Sequence, residues 1–299
     1  MKLLLTGAYN YSNEQIGYIK SLGHQVVFVQ DERAKLSIDV DDIDGVICNS
    51  LFFYNDIKSF KSLKYIQLLS AGLDRVPLEY IMNSGIKLYN ARGVYSIPIS
   101  EFVLRGVLDL YKKSFDFYNK QKNHNWEKDR FIPELYGKNV LIVGTGSIGS
   151  EIAKRFKAFD TFVVGVDRSG KDKEYFDNIV CVDNLDQQIK LADIIVLALP
   201  FTDENIEFFN MPKFKIMKSN AIFVNIARGK LVNQNDLISA IKTNQIGGAV
   251  IDVFSNEPLN KSDSIWDLDN VIITPHNSFV GENNQKRMFD VIIKNLKRK

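Results

Sequence analysis

Short apolar runs alternate with amphipathic stretches along almost the whole chain. Lys2–Leu5, Val26–Val29, Val46–Cys48, Ile66–Leu69 and Lys87–Tyr89 read as strands, and Glu14–Leu22 as a helix. Further strands are predicted at Val140–Val143, near Val163 and Val180, and at Ile194–Leu199, Ala221–Asn225, Gly248–Val253 and Val271–Thr274. Near-continuous apolar runs of this length suit strands buried on both faces. Strands alternating with helices predict an α/β fold of doubly wound parallel sheets.

A long helical pattern runs from Ile99 to about Asn119, with Pro98 before it and Ser100 placed to cap it. Its apolar positions (Phe102, Val103, Val107, Leu108, Tyr111, Phe115, Tyr118) exceed one narrow stripe, so it is expected to pack against more than one surface, a second subunit included. After His276 the remaining chain reads as one helix, too little for a domain. The expected organisation is a first domain of residues 1–98 plus 276–299, with a second of 99–275 inserted into it.

One turn carries most of the functional information. Val140–Val143 enters Gly144-Thr145-Gly146-Ser147-Ile148-Gly149, and a helical pattern (Ile148, Ile152, Ala153, Phe156) begins at once. Gly144 permits the tight turn, Gly146 lets backbone approach a pyrophosphate, and Gly149 lets helix and strand pack closely. The N–H groups at Ser147 and Ile148 open the helix, where free donors and the positive dipole end favour phosphate. Eighteen residues after Gly149, a second strand ends at Asp167, where an acid can accept from an adenosine ribose. The first domain has no such turn; Thr6-Gly7-Ala8-Tyr9-Asn10 holds one glycine. The dinucleotide is therefore expected on the second domain.

Composition narrows the class. A formal charge of +2 over 299 residues is spread out, so nucleic acid is not indicated. Cys48 and Cys181 sit in apolar runs and read as buried hydrophobes rather than a disulfide or a metal site. No apolar run is long enough to span a membrane, and Met1–Leu5 is too short for a signal-peptide core. A cytoplasmic protein is expected.

Three polar residues each follow an apolar strand: Arg228, Glu257 and His276. Ligands of open parallel sheets bind outside the carboxyl ends of the strands. All three should therefore stand on the edge that carries the glycine turn. Of three histidines, His24 lies in the other domain and His124 in a polar loop, leaving His276 for proton transfer. A carboxylate beside it would fix the ring tautomer, and Arg228 can present two parallel donors to a substrate carboxylate. The chemistry expected is hydride transfer between a nicotinamide and a 2-keto acid.

These segments resemble a known family. Asn225-Ile226-Ala227-Arg228-Gly229, Asp252–Leu259 and Thr274-Pro275-His276-Asn277-Ser278 look like the signature segments of the D-isomer-specific 2-hydroxyacid dehydrogenases. Ser70-Ala71-Gly72-Leu73-Asp74 resembles the family loop whose N–H groups hold the substrate carboxylate, and Leu199-Pro200-Phe201-Thr202 the segment passing near the nicotinamide. The resemblance implies an NAD-binding Rossmann domain inserted into a flavodoxin-like substrate domain, and a homodimer built largely on the former. It implies reversible reduction of a small 2-keto acid to the D-2-hydroxy acid. In that reading Arg228 binds substrate with Ser70, Ala71 and Gly72, Glu257 pairs with His276, and His276 is the acid/base. Ile226, Ala227, Leu199 and Pro200 border the cofactor, and Asp252 contacts the nicotinamide amide. The tail is short, so the regulatory domain of longer relatives, and feedback by serine, are not expected.

Three points stay open on sequence. Arg168 either stacks on adenine or, with Lys171, partly accepts a 2′-phosphate; Asp167 repels that phosphate, so NAD is expected. The alternative to an enzyme is an NAD(H)-sensing protein of the same fold acting through protein contacts, against which the complete Arg228, Glu257 and His276 set argues. No residue names the keto acid, although Leu51-Phe52-Phe53-Tyr54 would suit either core or an apolar pocket.

Overall fold

The structure, a computed structural model, describes residues 1–298. The chain divides into two compact units, Met1–Tyr95 with the chain from Gly281 onward, and Ser96–Val280. His276 thus lies in the second unit, not the first as expected from its position near the last helix. Its backbone N–H donates to the Asp252 carbonyl at 2.8 Å, which ties it to the strand end beside it.

The first unit contains β1 (Lys2–Thr6), α1 (Asn13–Ser21), β2 (Gln25–Val29), β3 (Gly45–Cys48), α2 (Leu51–Tyr54), β4 (Tyr65–Leu68), α3 (Leu78–Ser84) and β5 (Lys87–Tyr89). Its strands form one parallel sheet in the order β2-β1-β3-β4-β5, the flavodoxin-like arrangement. Ser12 and Gln15 cap α1 reciprocally. The C-terminal helix, Asn284–Leu296, covers one face: Met288, Ile292 and Leu296, four apart, pack with Leu3, Leu5 and Ile19. Its Asn295 Nδ2 donates to Gln67 Oε1 at 2.7 Å, so this buried polar pair is satisfied. Leu4, Val46, Cys48 and Ile66 face the opposite core with Leu51, Ile57, Phe60 and Ile81.

Beyond β2, Glu32 is 5% exposed. Its carboxylate accepts from Thr6 Oγ1 at 2.7 Å, Asn49 N at 3.0 Å and Ser50 N at 2.5 Å. These donors end β1 and follow β3, the two strands at which the order of this sheet reverses.

The second unit runs α4 (Ser96–Tyr111), α5 (Ser114–Lys122), β6 (Asn139–Val143), α6 (Ser147–Lys157), β7 (Phe162–Asp167), β8 (Asn178–Cys181), α7 (Leu185–Leu191), β9 (Ile194–Leu197), α8 (Met211–Lys215), β10 (Ile222–Asn225), α9 (Gln234–Lys242), β11 (Gly248–Ile251) and β12 (Val271–Ile273). Seven parallel strands are ordered β12-β11-β10-β9-β6-β7-β8, the Rossmann order extended by one strand. The reversal falls between β6 and β9. Phe209, Phe214 and Phe223, with ring centroids 4.7–5.4 Å apart, anchor its core. Gly106 of α4 faces Val250 of β11 so closely that a Cβ there would lie 2.7 Å from Val250 Cγ1.

Three expectations fail locally. The long helix is two helices, because Lys113 adopts φ 51° and ψ 43° and breaks the ladder between Tyr111 and Ser114. Ser100 is no cap. The helix begins at Ser96, with Pro98 inside a first turn that needs no donor from it, and Ser100 Oγ donates back to the Ile97 carbonyl at 2.7 Å. Cys48 is buried, but Cys181 is exposed because β8 is an edge strand. Among the described residues no helix is long and apolar enough to cross a membrane, and no group of His, Cys, Asp and Glu could hold a metal ion.

Candidate active site

The glycine turn sits at the strand-order reversal of the second unit. Gly144 adopts φ +107°, a conformation side chains resist, and a Cβ on it would run into the Ala198 carbonyl carbon, 2.6 Å away. A Cβ on Gly149 would collide with the Gly144 carbonyl oxygen, so this glycine sets how closely α6 approaches the turn. Gly146 differs: a Cβ on it would meet nothing within 4 Å. Fold packing does not require that glycine. Its bareness leaves a cradle against the N-terminus of α6, whose cap position carries no side-chain hydrogen bond. Uncapped N–H groups at Ser147, Ile148 and Gly149 beside an open glycine fit a pyrophosphate.

Asp167, at the end of β7, is heavily engaged. Oδ1 accepts from Ser169 N and Oγ and from Gly170 N at 2.8–2.9 Å. Oδ2 accepts from Thr145 Oγ1 at 2.5 Å and from Lys173 Nζ at 2.6 Å. Burial opposes its charge, but the bonds from Lys173, Thr145, Gly170 and Ser169 outweigh it and hold the carboxyl well below the usual range. Arg168 beside it is exposed. Across the reversal, Leu199 and Pro200 follow β9; Leu199 packs on the core and the Pro200 carbonyl accepts from Asn205 Nδ2. Ile226 and Ala227, both buried, follow β10.

Arg228, Glu257 and His276 follow β10, β11 and β12, adjacent parallel strands, and so share one sheet edge. Asn225 shapes the first of these turns: its Oδ1 accepts from Ala227 N and its Nδ2 donates to the Arg228 carbonyl, both at 3.1 Å. Arg228 Nη1 donates to the Ala227 carbonyl at 2.8 Å. A Cβ on Gly229 would overlap the Phe254 backbone, so the arginine turn packs flat against the turn that leads to Glu257.

Glu257 and His276 are in direct contact. Glu257 Oε1 accepts from Phe254 N and Oε2 lies on His276 Nδ1, each at 3.0 Å. A carboxylate only accepts, so this contact places a proton on Nδ1 and fixes the tautomer. Nε2 has no protein partner among the described residues. His276 itself takes φ +51°, a left-handed conformation uncommon outside glycine, and its ring stands edge-on to Phe279 at 5.9 Å.

Asp252 holds that backbone in place. It is fully buried, and Oδ1 accepts from Thr274 Oγ1 (2.6 Å), Asn277 N (2.8 Å) and Ser278 N (3.2 Å), with Oδ2 at 3.0 Å from Ser278 N. The resemblance gave Asp252 a role toward nicotinamide; its observed side-chain partners all belong to the histidine loop.

In the first unit, the Ser70–Gly72 loop has its carbonyls occupied. Ser70 O accepts from Ala91 N, Ala71 O from Asn90 Nδ2 and Gly72 O from Ser70 Oγ, at 2.6–2.9 Å. The N–H groups of Ala71 and Gly72 make no hydrogen bond among the described residues. Leu51 is core, whereas Phe53 and Tyr54 are exposed. With Phe52, Val76 and Tyr80, Phe53 lines a cavity of about 400 Å³.

Sequence reasoning missed Lys173, Thr145 and the loop-holding role of Asp252. Thr145 was a spacer between glycines and Lys173 one of several lysines in a polar segment. No periodic signal marks either.

Comparison with known proteins shows the family. Residues 104–278 match the family described as D-isomer specific 2-hydroxyacid dehydrogenase, NAD binding domain. A glyoxylate reductase of Pyrococcus furiosus is 32% identical over 277 residues, covering 88% of this chain and 81% of the relative. A D-3-phosphoglycerate dehydrogenase of Methanocaldococcus jannaschii is 30% identical over all of this chain, which spans 57% of that protein. A crystal structure of a family protein from Aeromonas salmonicida is 28% identical, covers 99% of this chain and 95% of its own, and superposes with a TM-score of 0.79. The chain belongs to the D-isomer-specific 2-hydroxyacid dehydrogenases, oxidoreductases that use a nicotinamide cofactor.

Proposed function

We propose that the protein reduces a small 2-keto acid to the D-2-hydroxy acid, reversibly and with NADH. The Glu257–His276 contact, with Nε2 left unpartnered on the cofactor edge, is the observation that carries this reading. When bound, the nicotinamide supplies or accepts the hydride. Arg228 offers parallel donors to the substrate carboxylate and so orients the carbonyl carbon. The uncommitted N–H groups of Ala71 and Gly72 are a second candidate for binding a carboxylate, to be tested on their own. On reduction, His276 Nε2 gives a proton to the carbonyl oxygen; on oxidation it takes the hydroxyl proton back. Glu257 orients the ring throughout.

The test is a panel of glyoxylate, hydroxypyruvate, pyruvate, 2-ketoisocaproate and phenylpyruvate with NADH, followed at 340 nm, with chiral analysis of the product. Turnover of at least one acid to the D-isomer is expected. Tight NADH binding with no turnover on any of them would instead favour the nucleotide-sensing reading.

The proposed assembly is a homodimer formed through residues 114–136 of the second unit. What supports it is a run of exposed aromatic side chains, with Trp126 at 96%, Phe131 at 86% and Tyr136 at 73% exposure. Light scattering on the wild type and on the triple variant Trp126→Ser/Phe131→Ser/Tyr136→Ser checks it: a dimer and a monomer, respectively, are expected.

A further inference from the structure

The acid that ends β7 is commonly an obstacle to a 2′-phosphate, because two negative groups would meet there. Here Asp167 does not present a bare charge. Lys173 Nζ sits on Oδ2 and also bonds Thr145 through its carbonyl, at 3.2 Å, and its hydroxyl. The lysine side chain is 37% exposed and the aspartate 16%, so the cation is the outer member of the pair. Oδ1 is fully used by the Ser169–Gly170 turn, and Gly170 takes φ +58° to make it. Oδ2 is therefore the oxygen open to exchange of partners.

We propose that Lys173 is a cofactor-specificity residue that lets this site accept a 2′-phosphorylated ribose as well as an unphosphorylated one. An unphosphorylated ribose donates a hydroxyl to Oδ2, and Nζ moves out toward water on its flexible stem. With a 2′-phosphate, Nζ transfers to the phosphate oxygens, with Arg168 and Lys171 in the same segment adding positive charge. The aspartate then keeps Thr145 and the turn as partners, so neither state leaves it unpaired. This inference rests on nucleotide binding by the second unit and not on the identity of the keto acid.

The experiment measures binding without substrate. NADH, NADPH, 5′-AMP and 2′,5′-ADP are titrated into wild type, Lys173→Met and Lys173→Arg by calorimetry, at two salt concentrations. Wild type should bind NADPH within about tenfold of NADH. Lys173→Met should weaken NADPH and 2′,5′-ADP by about tenfold or more while leaving NADH and 5′-AMP within about twofold, and Lys173→Arg should restore the phosphorylated ligands. The salt dependence of NADPH binding should flatten in Lys173→Met. A wild-type gap larger than tenfold overturns the proposal. So does an equal loss of all four ligands in Lys173→Met, which would mark a structural lysine, or no loss at all. Failure of every ligand to bind wild type would remove the nucleotide site itself, whereas intact NADH binding without a Lys173 effect removes only this inference.

Discussion

The two units repeat one layout and use it differently. In each, a threonine follows the apolar core of the first strand and an acid follows the second: Thr6 with Glu32, and Thr145 with Asp167. In each pair the threonine's strand borders the point where the sheet order reverses, the place at which open parallel sheets leave a crevice, and the acid comes from the next strand. In the first unit the acid is buried and its carboxylate gathers Thr6, Asn49 and Ser50, so the crevice is filled from within. In the second, a bare glycine and an uncapped helix N-terminus stand at the same point, and the acid shares Oδ2 with an exposed lysine. At this crevice the first unit spends its polar groups on itself, whereas the second holds them ready for a ligand.

That contrast can be broken from either side. The largest effect is expected from His276→Ala, which should lower kcat by about 10²–10⁴-fold while leaving NADH affinity and thermal midpoint nearly unchanged. Steady-state kinetics beside a melting curve decides it, and near-wild-type turnover would move the acid role elsewhere. Glu257→Gln should fall between His276→Ala and wild type.

Glu32→Ala should show the opposite profile. Three donors lose their acceptor inside the first unit, at about 1–3 kcal/mol for each that stays unsatisfied, so stability falls by about 3 kcal/mol or more. NADH affinity should not change. If denaturant unfolding shows no loss, the acid is not the internal tie described here.

Glycine substitutions sharpen the comparison at the turns. Gly7→Ala drives a methyl into the Gln30 carbonyl and should cost about 1–3 kcal/mol. Gly146→Ala meets no protein atom and should leave stability within about 0.5 kcal/mol, yet weaken NADH markedly. Equal melting losses in the two variants would erase the distinction between them.

The smallest effect concerns acid. The Asp167 carboxyl is depressed in the folded protein, so its stabilisation is present above the unfolded carboxylate range near about 3.9 and is lost as pH falls through the lower folded value. Asp167→Asn should therefore be less stable than wild type above about pH 5, with the two converging on acidification. Midpoints that stay parallel across this range would mean the bonds at Asp167 do not favour its ionised form.

Much of this was readable in the chain. β6, β9, β10 and β11 are continuous apolar runs because both faces of the sheet are buried, and their ends are therefore sharp. A polar residue just past such an end must lie on the ligand edge, which is why Arg228, Glu257 and His276 stood out. What stayed hidden lacks periodicity. Glu32 reads as one more acid in a polar loop, and nothing in its neighbours announces that it is buried. The break at Lys113 is invisible because apolar positions continue on both sides of it. Cys181 lies in an apolar run, but only the strand order reveals that the run is at an edge. Lys173 and Asp252 act through pairings with residues 6 to 28 positions away in the chain, which no local pattern encodes.

The C-terminal helix has a consequence for how the protein is made. Met288, Ile292 and Leu296 complete a core begun by Leu3, Leu5 and Ile19, yet the whole of Ser96–Val280 is translated between them. At about 5–20 residues per second, the amino-terminal sheet waits on the order of 10–40 s on the ribosome with an apolar face uncovered. The second unit, one uninterrupted stretch of chain, faces no such delay. Synthesis therefore produces the nucleotide-binding half first and finishes the half that began it last, leaving the early sheet a natural client for a chaperone during that interval.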